Sequence, residues 1–243
     1  MSLLALLASV ATATAPLALM VGDSMAMTDL GEAIEREVAH DGRVRFARFG
    51  KSGTGLTRPD LYDWTEKLPN ELAAKRPHYL MVALGGNDGQ ALHFRGRARR
   101  AIPWGDSAWL DEYRGRVDAF LALVPAETRR VIWLEIPRRA PEKLEARAAV
   151  IRELVREVAG RHARVSFLET GDIFGPRESG VAGVQVEGFR GCHPLHQPDG
   201  VHFSAAGAAF VASRLTPGLF ELFGLAGTVT RAGAPCPRPQ NPT

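Results

Sequence analysis

Cysteine is scarce: the chain has two in 243 residues, Cys192 and Cys236, and no C-x-x-C pair. That argues against a structural zinc site and against a thioredoxin-like redox centre. The two thiols suit one disulfide in an oxidising compartment, tying the tail to the loop before Asp199, and they suit two free thiols equally well. An excess of charge is also missing, since 30 basic residues are well mixed with 27 acidic ones and the net charge is only +3. Aromatic residues make up 7% of the chain and stud no basic stripe, so nucleic acid is not expected as a partner. The cluster Arg95, Arg97, Arg99 and Arg100 reads as a solvated loop, with a site for an anionic partner as the alternative. Glycine is plentiful, yet no full G-x-x-x-x-G-K-[ST] is present and Gly85-Gly86-Asn87 does not make G-x-G-x-x-G, which argues against a phosphate cradle. The apolar opening, residues 1–15, is too short to cross a bilayer. It resembles the later part of a secretory signal, with Ala11-Thr12-Ala13 fitting an A-x-A site but no positive n-region before the apolar core. A cleaved leader, a truncated leader and a local apolar helix all fit. Export to the periplasm or beyond is the favoured expectation, with the cytoplasm as the alternative.

What is present is an ordinary globular composition, 45% apolar and 23% charged, long enough for one sizeable core. We expect one domain over residues 16–227 and an irregular proline-rich tail over 228–243. Continuous apolar runs at Leu17–Val21 and Tyr79–Leu84 read as buried strands, Val131–Ile136 is a third strand ended by Pro137, and Arg43–Phe49 alternates as a half-covered one. Val165–Leu168 is the last strand. Helical periods lie between them, with Pro69 and Pro217 expected to kink, bend or restart two of the helices. Residues 171–198 are rich in glycine and proline and read as a long surface loop. Five strands alternating with helices specify an α/β fold, a three-layer α/β/α sandwich around a parallel sheet.

The first apolar run stops at Gly22-Asp23-Ser24, which places a serine hydroxyl at a strand's carboxyl end, the edge where open α/β sheets hold ligands. The same tripeptide recurs at Gly105-Asp106-Ser107, but no strand precedes it, and Ser107 reads there as a helix N-cap. Three further stretches match the first in placement: Ser52-Gly53-Thr54-Gly55-Leu56, Gly85-Gly86-Asn87-Asp88 and Asp199-Gly200-Val201-His202. A serine needs a base to become a nucleophile; His202 is the candidate, with Asp199 three residues earlier able to hold its other ring nitrogen. His193 and His196 form no helical ligand pair with each other or with His202, and neither a metal nor another cofactor is expected.

In these four stretches, from about residue 17 to residue 215, the sequence resembles the SGNH hydrolase superfamily, the GDSL esterases, and within it an exported bacterial subgroup. The resemblance implies a flavodoxin-like five-stranded fold and a serine esterase that works through an acyl-serine intermediate. It assigns Ser24, Asp199 and His202 as catalytic, and the Ser24 N–H, the Gly55 N–H and the Asn87 side chain as oxyanion donors. Gly50 stands where the family commonly has asparagine, so choosing Gly55 over Gly53 rests on counting forward through the block. Asp23, Asp88, Gln90 and Trp104 stand as candidate substrate-binding residues, with Trp104 a surface on which a sugar stacks. Exported relatives imply an O-acetylated cell-wall or secreted polysaccharide, or another small ester, as substrate, with water or a second hydroxyl as acceptor. Polysaccharide synthesis or export machinery is a further partner the resemblance allows. The alternatives are a lipase or thioesterase for longer acyl chains and a non-catalytic polysaccharide-binding protein.

Overall fold

The computed structural model describes residues 14–96, 99–174, 181–225 and 233–237. The expected leader, apart from its last two residues, lies outside these, as does most of the tail. Strand β1 (Leu17–Gly22) buries Ala18, Leu19, Met20 and Val21 completely. Ala18 and Met20 face one layer of the core and Leu19 and Val21 the other, so the run has no polar side and no alternation. It pairs in parallel with β2 (Arg45–Gly50) and β3 (Tyr79–Ala83), and β3 continues through β4 (Arg130–Leu134) to β5 (Val165–Leu168). The strand order is β2-β1-β3-β4-β5, the five-stranded parallel sheet expected.

Helices cover both faces. On one side α1 (Ser24–Met27), α2 (Asp29–Asp41) and α6 (Ala205–Leu222) close over Met20, Met81 and Ile132. On the other, α3 (Trp64–Lys75), α4 (Ser107–Ala122) and α5 (Glu142–Ala159) bury Trp64, Tyr113, Phe120 and Ile151 against Leu19, Val21, Leu80 and Val82. The chain leaves β1 toward β2 on one side of the sheet and reaches β3 on the other. This reversal opens a crevice at the carboxyl ends of β1 and β3.

Three features differ from the sequence reading. Helices α3 and α6 run unbroken through Pro69 and Pro217. Neither proline breaks or restarts its helix, because Leu68 and Leu72, with Leu215 and Leu219, anchor the turns on either side in the core. The N-cap of α4 is Asp106, whose carboxylate accepts from the Ala108 N–H, so Ser107 is the first helical residue. Part of the supposed loop and tail is ordered: β6 (Val181–Gln185) pairs antiparallel with β7 (Ala234–Pro237), and Cys192 and Cys236 form a disulfide. Prolines hide such a ribbon from pattern reading, yet a two-stranded ribbon is all edge and tolerates them.

Candidate active site

Ser24 sits where the sheet forces a sharp turn. A Cβ at Gly22 would lie 2.2 Å from the Ala83 carbonyl, so only glycine lets β1 end this close to β3. The Asp23 N–H then bonds to the Ala83 carbonyl at 3.1 Å, its carboxylate accepts from the Met25 N–H at 2.9 Å, and Ser24 opens the short helix α1.

From the far end of the chain the segment 197–202 brings the base. Asp199 Oδ1 accepts the N–H groups of Val201 and His202 at 2.9 and 3.0 Å, closing a tight turn on Gly200. Gly200 takes φ of 65°, and a side chain there would run into Ala140. Asp199 Oδ2 is 2.6 Å from His202 Nδ1, and His202 Nε2 is 2.8 Å from Ser24 Oγ. A proton on Nδ1, held by the carboxylate, leaves Nε2 as the acceptor for the serine hydroxyl. The His202 bond and the two N–H groups draw the Asp199 carboxyl down to about 2, so it is ionised at any working pH. The relay is open to solvent, with side-chain exposures of 30% for His202 and 45% for Asp199.

Opposite the relay, the main-chain N–H groups of Ser24 and Gly55 have no protein partner among the described residues. Asn87 Nδ2 donates to the Thr54 carbonyl at 2.9 Å and to Asp23 Oδ2 at 3.1 Å. The two glycines of that loop differ in surroundings: Gly53 is exposed with open space around it, whereas a Cβ on Gly55 would lie 2.1 Å from Asp88 Oδ1.

The remaining candidates divide. Asp23 and Asp88 are 2% and 0% exposed, so they support the site from below and are not substrate contacts. Asp88 accepts from the Thr57 N–H (2.9 Å), the Thr57 hydroxyl (2.8 Å) and the Tyr113 hydroxyl (2.9 Å), tying the 54–57 loop to α4. Burial raises its pKa against the pull of those donors. Burial likewise pushes Asp23 up to about 7, with the Met25 N–H opposing and the Asp88 charge adding. Gln90 spends its amide on the Asn87 carbonyl at 2.6 Å and so steadies that asparagine. Trp104 packs edge-on against Trp109, with the Arg147 guanidinium 5.5 Å above its ring. His193 bonds to the Arg190 carbonyl and His196 stacks on Phe203.

A cleft of about 280 Å³ lies beside the relay, lined by Asn87, Arg139, Arg147, Asp199 and His202 among others. Sequence reasoning missed the two arginines. Arg139 follows β4 as Ser24 follows β1, so its position at the carboxyl edge was the available signal, but no motif marks it.

The fold is shared with solved ester hydrolases. An α/β hydrolase from the metagenome of Lake Arreo is 17% identical, with 89% of this chain and 98% of that one covered at a TM-score of 0.58. The psychrotrophic esterase EstA of Pseudoalteromonas sp. is 13% identical over 86% and 99% of the two chains at 0.58. Axe2, an acetyl xylan esterase of Geobacillus stearothermophilus, is 15% identical over 88% and 97% at 0.56. These likenesses show the fold, that of the SGNH or GDSL hydrolases. No functionally curated protein matches the chain. Residues 18–217, which carry all but the first residue of the five-stranded sheet and all four motif stretches, match the family described as "Protein of unknown function (DUF459)", and the chain belongs to that family.

Proposed function

We propose that the protein is a serine ester hydrolase that removes acetyl groups from carbohydrate through an acyl-Ser24 intermediate. The observation that carries this reading is the unbroken line from Asp199 through His202 to Ser24 Oγ, at 2.6 and 2.8 Å. As Ser24 Oγ attacks the ester carbonyl, its proton passes to His202 Nε2, and Asp199 stabilises the imidazolium that forms. The new oxyanion is met by the Ser24 and Gly55 N–H groups and by Asn87 once its amide turns from Asp23; each such donor is worth roughly 3 kcal/mol. His202 then hands the proton to the departing alcohol, and water, drawn in by the same base, releases the acid. A second hydroxyl in place of water makes the reaction an acetyl transfer.

The acetyl preference is supported by fold neighbours described as acetyl xylan and acetyl esterases. One observation favours a longer acyl chain: an apolar recess of about 250 Å³, walled by Leu56, Pro59, Tyr62 and Phe94, opens at Gly55. A chain-length series of p-nitrophenyl esters separates the two, since a preference beyond about eight carbons contradicts an acetyl pocket. The Cys192–Cys236 disulfide supports an exported protein, because such bonds persist in oxidising compartments. Turnover of p-nitrophenyl acetate that disappears in Ser24→Ala supports the esterase reading. Unchanged turnover in that variant, or glycan binding with no turnover in the wild type, contradicts it.

A further inference from the structure

We propose that the cleft beside the relay takes an anionic group of the substrate, a carboxylate or phosphate carried on the alcohol side of the ester, between Arg139 and Arg147. The proposal rests on the ester-hydrolase reading of the same site and adds the chemical class of the alcohol.

Several buried or half-buried arginines of this protein meet carboxylates, Arg152 with Glu145, Arg156 with Glu135 and Arg116 with Glu112, all within 3.1 Å, while Arg164 and Arg214 donate to main-chain carbonyls away from the cleft. Arg139 and Arg147 differ. Neither has a carboxylate within ion-pair distance among the described residues, and both line the same cleft. Arg139 Nε is buried with no hydrogen-bond partner among the described residues. One of its terminal nitrogens lies 2.5 Å from where a Cβ on Gly86 would sit, and Asp23 Oδ2 lies 3.2 Å from the same point, outside ion-pair contact with Arg139. The neighbouring Glu145 is already occupied, by the Arg152 guanidinium at 2.7 Å and by the Arg139 main-chain N–H at 2.9 Å. Burial lowers the Arg139 pKa against the pull of the Asp23, Glu145 and Asp199 charges, so desolvation outweighs the acids around it and a bound anion would offset that loss. Arg147 donates to the Gly89 carbonyl and lies over the Trp104 ring, held with its charge uncompensated. The cleft's own acid, Asp199, is satisfied by the His202 ring and two N–H groups. Asp23 sits below the floor at 2% exposure.

The side of the ester follows from the chemistry. His202 and Asp199 form one wall of the cleft, and His202 Nε2 must reach the departing oxygen, so the group filling the cleft belongs to the alcohol. Two guanidinium groups beside one another suit an oxyanion with several acceptor atoms, which they grip by charge-assisted, paired hydrogen bonds.

The test compares O-acetylated methyl glucuronoside with O-acetylated methyl glucoside, which differ in the carboxylate alone, and adds the glucoside 6-phosphate to separate the two anions. We expect kcat/KM to favour an anionic ester by about tenfold or more at low salt, and salt to erode the preference. In Arg139→Gln and in Arg147→Gln the ratio falls toward one, while Arg139→Lys keeps part of it. A wild-type ratio near one, or a ratio unchanged in both glutamine variants, overturns the proposal. Calorimetric binding of the three glycosides to Ser24→Ala reports on the cleft independently of turnover. Charge-selective binding there without wild-type turnover upholds the cleft and removes the esterase reading; turnover without charge selectivity does the reverse.

Discussion

Gly55 carries two demands on one residue. In the proposed mechanism its N–H meets the oxyanion, and its missing side chain lets Asp88 approach, since a Cβ would lie 2.1 Å from Asp88 Oδ1. Asp88 cannot retreat, because Thr57 and Tyr113 hold it from two sides at 2.8 to 2.9 Å. Gly55→Ala is therefore expected to lower stability by about 3 kcal/mol in urea denaturation. The shifted N–H should also cut kcat/KM on the order of tenfold to a hundredfold. Gly53→Ala is the control: with φ of 76° and nothing within 4 Å, it costs about 1 kcal/mol of backbone strain and leaves the site alone. Equal effects of the two substitutions would contradict the packing argument. At this scale the sequence was legible where chemistry fixes a motif, as at Ser24, Asn87, Asp199 and His202. It was silent at Arg139 and Arg147, whose meaning comes from the cleft they share and from the lack of a carboxylate in ion-pair contact with either among the described residues. Asp23 and Asp88 misled because polar residues beside a motif read alike whether they point into the cleft or under it.

The disulfide fastens the β6–β7 ribbon to the segment that delivers the base. Val184 and His193 exchange backbone hydrogen bonds at 2.7 and 2.9 Å, and the chain then runs through Leu195 to Asp199 and His202. The bond joins residues 44 apart, a loop whose closure is worth about 4 kcal/mol in the chain-entropy account. Cys236→Ser is expected to lower stability by up to that amount. It should first release hydrogen-exchange protection at Val184 and His193, with β1 and β3 amides protected as before. Unchanged protection at Val184 would contradict it. Strands β1 and β3 are legible because burial on both faces writes a continuous apolar run. The ribbon is not, because its pairing depends on a distant cysteine and on edges where proline is harmless. Helices α3 and α6 show the same limit from the other side: Pro69 and Pro217 read as breaks, and the packed leucines around them keep the helices whole.

For the molecule as a whole, the site exists because the strand order reverses between β1 and β3, so residues from both ends of the chain meet at one sheet edge. That convergence buries two carboxyls under the site, with a measurable consequence. Asp23 is pushed from an ordinary 3.8 up to about 7, so between these values the folded state holds a proton that the unfolded chain releases. Its contribution is complete below about pH 4 and is lost as pH rises through 7, a fall on the order of 4 kcal/mol. Asp88 adds a change of the same sign. Urea midpoints should therefore fall from pH 5 to pH 8 and fall less in Asp23→Asn, which keeps the cap on Met25; an equal fall in both would contradict the assignment. The relay itself is tested most directly by exposing the protein to a fluorophosphonate and locating the adduct by mass spectrometry. A single adduct on Ser24, forming on the order of a hundredfold more slowly in His202→Ala, is the expected result. No adduct on Ser24, or one that forms at the same rate without His202, would contradict the account.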